Sequence, residues 1–247
     1  MDNLKDKVAV ITGGNSGIGY ATAKQLKEQG ATVVITGRRK EAIEKAALEL
    51  GVTAITADQS SVSDIESLAS KVKEDFGQVD ILFINAGITD KGTIEQATEA
   101  LFDSIININF KGAYFTLSKF IPILKDGASV VFLSSNTANM SYAGTSIYSS
   151  GKTALNAVVK IAALELASKK IRVNSVSPGP TETEIMKKIG LNEEEVKTLM
   201  DAIVDNIPLK QMGKSEDVAK MVSYLSSDAA KFITGADFIM DGGMVLA

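Results

Sequence analysis

Along its whole length this chain alternates short apolar runs rich in β-branched residues with longer amphipathic stretches, and no other feature limits its fold as strongly. Residues 8–12, 32–36, 53–57, 81–85, 129–134, 172–177 and 237–240 read as seven strands. Most are apolar on both faces, the pattern of strands enclosed between two layers of helices. Helical periodicity marks segments near 17–29, 40–50, 64–76, 98–110, 112–124, 148–168, 193–205 and 215–226. Boundary residues support several of these: Gly30 follows the first, Asp64 begins and Gly77 ends the third, and Ser215 with Asp217 opens the last. Strand, helix and strand in regular succession, joined by right-handed crossovers, predict an α/β fold with a doubly wound, mainly parallel seven-stranded sheet and helices on both faces. With no linker, repeat or low-complexity stretch, residues 1–247 are expected to form a single domain. After the sixth strand, Pro178-Gly179-Pro180 turns the chain into a Glu- and Lys-rich stretch, 181–206, expected to lie outside the regular layers.

Composition then narrows the chemistry. The chain has no cysteine and no histidine, which excludes disulfides, thiolate nucleophiles, zinc–thiolate sites, imidazole bases and His-ligated metals. Acid–base work near neutral pH falls to Asp, Glu, Lys or Tyr, and no metal is expected. A net charge of -4 argues against a nucleic-acid partner and for small molecules. Residues 1–7 are polar and charged, and no apolar run reaches the ~18 residues that span a bilayer, so a cytoplasmic protein with no membrane association is expected.

Directly after the first strand stands Thr12-Gly13-Gly14-Asn15-Ser16-Gly17-Ile18-Gly19, opening a helix. Glycines here permit a tight turn and let backbone N–H groups approach a pyrophosphate, while the helix N-terminus supplies partial positive charge. At the end of the second strand, where an acidic side chain would hold free ribose hydroxyls, Gly37 is followed by Arg38, Arg39 and Lys40. A planar guanidinium suits a ribose 2′-phosphate, which favours NADP(H), with NAD(H) as the alternative. The same cluster also fits a solvated helix start.

Further along, Tyr148 and Lys152 are four residues apart on a helix and therefore share one face. A free phenol has a pKa of about 10, and a neighbouring ammonium, together with a positive nicotinamide, would lower it. Taken alone the pair also fits a plain core tyrosine. Ser135 stands 13 residues before Tyr148, at the carboxyl end of the fifth strand, where ligands bind in such sheets.

The spacing T-G-x-x-x-G-x-G resembles that of the short-chain dehydrogenase/reductase family, whose fold is Rossmann-type. Other marks follow in the family's order: Asp58 after the third strand, Asn85-Ala86-Gly87 after the fourth, Asn109 in Asn109-Phe110-Lys111-Gly112, and Pro178-Gly179 with Thr183 after the sixth. The resemblance runs from Lys7 to Gly243 and implies an oxidoreductase that moves a hydride between a nicotinamide and a carbonyl or alcohol substrate. It implies a catalytic set of Asn109, Ser135, Tyr148 and Lys152. Tyr148 would transfer the proton, Ser135 would donate to the substrate oxygen, Lys152 would hold the nicotinamide ribose, and the Asn109 backbone would fix a water chain. The implied cofactor set is Gly13, Asn15, Ser16, Gly17, Ile18, Gly19, Arg38, Arg39, Asp58 (at adenine), Gln59, Asn85, Ala86, Gly87, Tyr148, Lys152, Pro178, Gly179, Thr181 and Thr183, the last at the carboxamide. Ser16 departs from the many NADP-preferring members that carry a basic residue there.

Residues 136–142 lack the glycines common in relatives, which bears on the pocket wall. There Thr137, Asn139, Met140 and Tyr142 fit substrate contact and loop packing equally well. The 181–206 stretch is expected to act as a lid, with Ile185, Met186, Ile189 and Met200 on its apolar inner face. A ketone reductase or alcohol dehydrogenase heads the readings. A 3-oxoacyl-carrier-protein reductase comes second, weakened by Glu182, Glu184, Glu193, Glu194 and Glu195 in the lid, which would repel an acidic carrier. A dinucleotide-sensing protein without turnover comes third, since such proteins usually have broken the Tyr–Lys pair. The family also implies a homotetramer, with the apolar C-terminus packed between subunits.

Overall fold

The strands are β1 (Val8–Thr12), β2 (Thr32–Gly37), β3 (Thr53–Thr56), β4 (Val79–Ile84), β5 (Leu124–Leu133), β6 (Arg172–Pro178), β7 (Thr181–Glu182), β8 (Gly213–Lys214) and β9 (Asp237–Met240), in a computed structural model that describes residues 4–182 and 193–247. Seven of them form one sheet in the order β3-β2-β1-β4-β5-β6-β9, every neighbouring pair parallel. The chain leaves β1 toward β2 and β3 on one side and then crosses to β4 on the other. A crevice therefore opens between the carboxyl ends of β1 and β4.

Because successive strand residues face opposite sides, an uninterrupted apolar strand feeds two cores. In β5, Val130 and Phe132 enter a core with Val10, Leu82, Leu117, Leu155 and Val159, while Val131 enters the other with Ile11, Ile35, Phe83, Val218 and Val222. The helices are α1 (Gly17–Glu28), α2 (Lys40–Leu50), α3 (Val62–Phe76), α4 (Glu99–Ile106), α5 (Ala113–Phe120), α6 (Ser146–Glu165), α7 (Glu193–Asp205) and α8 (Ser215–Ser226). Helices α3, α5 and α6 cover the first core; α1, α2 and α8 cover the second. Among the described residues no helix is long and apolar enough to cross a membrane.

Four local differences from the sequence reading have physical causes. The expected helices 98–110 and 112–124 are one helical run from 99 to 120, in which Asn107–Gly112 forms a π-helical turn. It stops at Phe120 because Pro122, in the 3-10 turn Ile121–Ile123, offers no N–H to continue it. Strand β5 begins at Leu124, since the register against β4 jumps from Val79↔Leu124 to Ile81↔Ser129 and Gly127, at φ +84°, takes up the slack. Helix α3 starts two residues early: the Ser61 hydroxyl accepts from the Asp64 N–H at 3.2 Å and donates to the Asp64 carboxylate at 2.8 Å, making Ser61 the cap. The short β7–β8 ladder, two residues each, was too brief to show any periodicity.

Candidate active site

The crevice is built from the ends of β1 and β4 inward. Thr12 Oγ1 accepts from the backbone N–H groups of both Asn85 and Ala86, each at 3.0 Å. Asn85 Nδ2 donates in return to the carbonyls of Thr12 at 2.8 Å and Gly13 at 3.0 Å. These four bonds weld the glycine turn to the Asn85-Ala86-Gly87 turn. Helix α1 begins hard against them: a Cβ on Gly19 would collide with the Gly13 carbonyl, so only glycine permits this approach. Ser16, in the N-cap position, is fully extended and its side chain caps nothing, and no acidic residue occupies the first turn. The helix N-terminus thus keeps its unpaired N–H groups and positive end available to an anion.

Gly13, Asn15, Ser16, Gly17, Ile18, Arg38, Arg39, Asp58, Gln59, Asn85, Ala86 and Gly87 all line this crevice. Gly19 acts behind it, by packing. Arg38 and Arg39 are exposed at its rim, and neither guanidinium has a hydrogen-bond or ion-pair partner among the described residues. Asp58 Oδ1 accepts from Ser60 N–H and Ser60 Oγ, each at 2.8 Å, which fixes the turn after β3 and leaves Oδ2 with no such partner. Gln59 sends its amide to Thr116 Oγ1 at 3.0 Å, so that group is committed to α5. Thr36, Ile88, Ile108 and Leu133 also line the crevice; of these only Thr36, polar at a strand end, had a signal in the sequence. Pro178, Gly179 and Thr181 lie apart from this lining, at and just after the end of β6, where Gly179 N–H donates to the Met240 carbonyl at 3.0 Å and Thr181 Oγ1 to the Gly179 carbonyl at 3.0 Å. Thr183, and with it Ile185, Met186 and Ile189 of the expected lid, lies outside the described residues.

At the end of β5, buried Ser135 meets α6. Lys152 is 3% exposed; its Nζ donates to the Leu133 carbonyl at 2.6 Å and lies 5.6 Å from the centre of the Tyr148 ring. Burial pulls the Lys152 ammonium down to about 8. Burial likewise raises the Tyr148 phenol above its ordinary value, opposed by the Ser135 hydroxyl beside it. The expected lowering joins Lys152 to a bound nicotinamide; within the chain alone, burial prevails. The ammonium faces the ring and is spent on the Leu133 carbonyl, so desolvation prevails.

Asn109 sits buried in the π-helical turn, and both ends of its carboxamide are bonded to Ile88. Its Oδ1 accepts from Ile88 N–H at 2.8 Å and its Nδ2 donates to the Ile88 carbonyl at 2.7 Å. Asn109 thereby pins the loop that follows Asn85-Ala86-Gly87. Thr137, Asn139, Met140 and Tyr142 line a second, shallower groove with Ile94 and the Ser149 face of α6. Asn139 is committed there to Asp237, its Nδ2 donating to Oδ2 at 2.9 Å.

The glycine cradle, the uncapped α1 N-terminus and the free arginines fit a dinucleotide phosphate chain. The family model described as Enoyl-(Acyl carrier protein) reductase matches residues 13–245. The chain is 35% identical to the NADP-dependent (R)-specific alcohol dehydrogenase of Lentilactobacillus kefiri, over 98% of each. It is similar in structure to a short-chain dehydrogenase/reductase from Serratia marcescens, with a TM-score of 0.91 and 29% identity, covering 98% of this chain and 99% of that one. The chain belongs to the short-chain dehydrogenase/reductase family. A metagenomic blue fluorescent protein solved in complex with NADPH is similar at a TM-score of 0.89 and 28% identity, over 98% of this chain and 99% of that one. As a short-chain dehydrogenase/reductase the chain is an oxidoreductase acting on CH–OH or C=O groups of small molecules, and the family binds NAD(P)(H).

Proposed function

We propose that this protein is an NADP(H)-preferring ketone reductase or alcohol dehydrogenase with Tyr148 as its proton-transfer residue. The observation that carries the reading is the meeting of Ser135, Tyr148 and Lys152 at the carboxyl end of β5, next to the crevice that suits the dinucleotide. When bound, the nicotinamide supplies the hydride in reduction and takes it in oxidation. Tyr148, kept protonated by burial, gives its proton to the substrate oxygen as the carbonyl is reduced, and the phenolate takes it back in the reverse direction. Ser135 donates a hydrogen bond to that oxygen. Lys152, buried one helical turn from Tyr148, holds the nicotinamide ribose hydroxyls. Asn109, its side chain occupied by Ile88, serves through its backbone as the anchor of the water chain that restores the Tyr148 proton.

Arg38, with Arg39 in support, takes the 2′-phosphate; their lack of partners among the described residues and the absence of an acid at Gly37 support this. The stretch 181–206, including α7, forms the lid over an apolar ketone. Glu182 and Glu195, both exposed, disfavour an acidic carrier protein and so the 3-oxoacyl-carrier-protein alternative. Exposed Ile161 and Leu164 on α6 and Leu246 near the C-terminus support packing between subunits, read here as a homotetramer and checked by light scattering at micromolar concentration. A panel of ketones and alcohols, followed by cofactor absorbance with NADPH and with NADH, tests the whole reading. Turnover with a ketone and a clear preference for NADPH is the expected result, and a preference for NADH overturns the arginine assignment.

A further inference from the structure

Ser135 Oγ is the acceptor of two hydrogen bonds from a single residue, Thr137: one from its backbone N–H at 3.2 Å and one from its hydroxyl at 3.0 Å, with Thr137 Oγ1 the donor. A serine hydroxyl has two acceptor sites and one proton. With both acceptor sites filled, Ser135 can act toward its other neighbours only as a donor. We propose that Thr137 is a positioning residue that fixes the polarity of Ser135, so that the Ser135 proton points at the substrate oxygen and the Tyr148 proton is never diverted onto Ser135.

Two consequences follow for the reaction assigned above, on which this inference rests. First, a hydroxyl that accepts two hydrogen bonds is a stronger donor, because the bonds polarise one another. Ser135 therefore binds the developing alkoxide better than an isolated serine would. Second, if Ser135 had a free acceptor site, the neutral phenol of Tyr148 could donate to it and be stabilised. That would raise the Tyr148 pKa beyond what burial imposes and hold back the proton that reduction needs. The Ser135 hydroxyl instead opposes the effect of burial on Tyr148, as expected of a donor to the phenolate. Thr137 is half-exposed beside the groove along α6, and Ser135 is the one side-chain partner its hydroxyl has among the described residues.

The test compares T137V, which keeps the shape and removes the hydroxyl, with T137S, which keeps the hydroxyl, in ketone reduction and alcohol oxidation with NADPH and NADP. T137V is expected to lose about tenfold in kcat, equivalent to ~1.4 kcal/mol, with the KM values for ketone and cofactor within about twofold. Its pH midpoint for oxidation, which requires the phenolate, should move upward. T137S should restore kcat to within about twofold and return the midpoint. In an S135A background, T137V should cost nothing more, since its effect passes through Ser135. T137A, read in the same assays, carries the comparison if thermal melts show T137V to be poorly folded. Wild-type kcat in T137V, equal losses in T137V and T137S, or a further tenfold loss in the double variant would each overturn the inference. Full turnover in S135A alone would overturn instead the underlying assignment of Ser135, so the two failures are distinguishable.

Discussion

The two ends of the sheet treat polar groups in opposite ways. At the amino ends of the strands, Asp80 is 8% exposed at its side chain and is met by Lys7 at 3.2 Å, Lys125 at 3.6 Å and the Val8 N–H at 3.0 Å. Ser129 Oγ, at the same end, donates to the Leu225 carbonyl at 2.8 Å. At the carboxyl ends, the Arg38 and Arg39 guanidinium groups lack partners among the described residues, the α1 N-terminus is not capped by the Ser16 side chain, and Lys152 is buried at the expense of its charge. At the amino ends Asp80 and Ser129 are satisfied within the chain, although Arg172 Nη1 there is buried without a hydrogen-bond partner among the described residues, whereas the carboxyl ends present the Arg38 and Arg39 guanidinium groups and the α1 N–H groups to the crevice. Groups kept open against their own stability are the ones a ligand completes.

The sharpest way to break this contrast is Tyr148→Phe. Ketone reduction should fall by about a thousandfold or more while NADPH still quenches or shifts fluorescence on binding, because only the proton donor is lost. Retained turnover would remove the carboxyl end's claim to the chemistry. Next in size, Arg38→Ala should raise the KM for NADPH by about 10- to 100-fold and leave that for NADH unchanged, as expected for a lost charged hydrogen bond. Equal effects on both cofactors would place Arg38 elsewhere.

At the opposite end, Asp80→Ala should cost about 2 kcal/mol in denaturant unfolding, leaving kcat at 25 °C unaltered. A fall in kcat with no loss of stability would dissolve the division between the ends. A last effect, on the pH dependence of stability, concerns Lys152→Met. The ordinary lysine value is 10.5 and burial brings Lys152 to about 8, so between those values the unfolded chain holds a proton that the folded one has shed. Stability from this group therefore rises with pH across that window, and below it the burial penalty is present in full. Lys152→Met should melt higher than wild type below pH 8, with the gap closing toward pH 10.5, although it is inactive. A gap that stays constant with pH would show that Lys152 is not destabilised by burial.

Most of the sheet is legible in the sequence, because strands buried on both faces announce themselves by unbroken apolar runs. The crevice was readable too, since glycine spacing and an arginine at a strand end are local signals. What stayed hidden depends on partners distant in sequence. The Asn109 clamp on Ile88 spans 21 residues, and the Gln59 amide bond to Thr116 spans 57. The position of the Lys152 ammonium stayed hidden for the same reason: helical spacing places Lys152 near Tyr148, but the Leu133 carbonyl, on another element, decides where its ammonium points. Thr12 shows the opposite case. It stood in the glycine motif and passed as a strand residue, yet its hydroxyl joins the two turns that frame the crevice.

The π-helical turn at Asn107–Gly112 makes the helical run from 99 to 120 a length gauge. Its lower half is referenced to Ile88 through Asn109. Its upper half is referenced to the turn after β3, where Thr116 takes the Gln59 amide and a Cβ on Gly112 would strike the Gln59 carbonyl. Removing one residue between these contacts would let the turn close as ordinary α-helix and rotate one half against the other by about 100°. One of the two fittings would have to be abandoned. The count of residues between Asn109 and Thr116 is thus a calibrated dimension, holding the floor of the crevice and its far wall at a fixed separation.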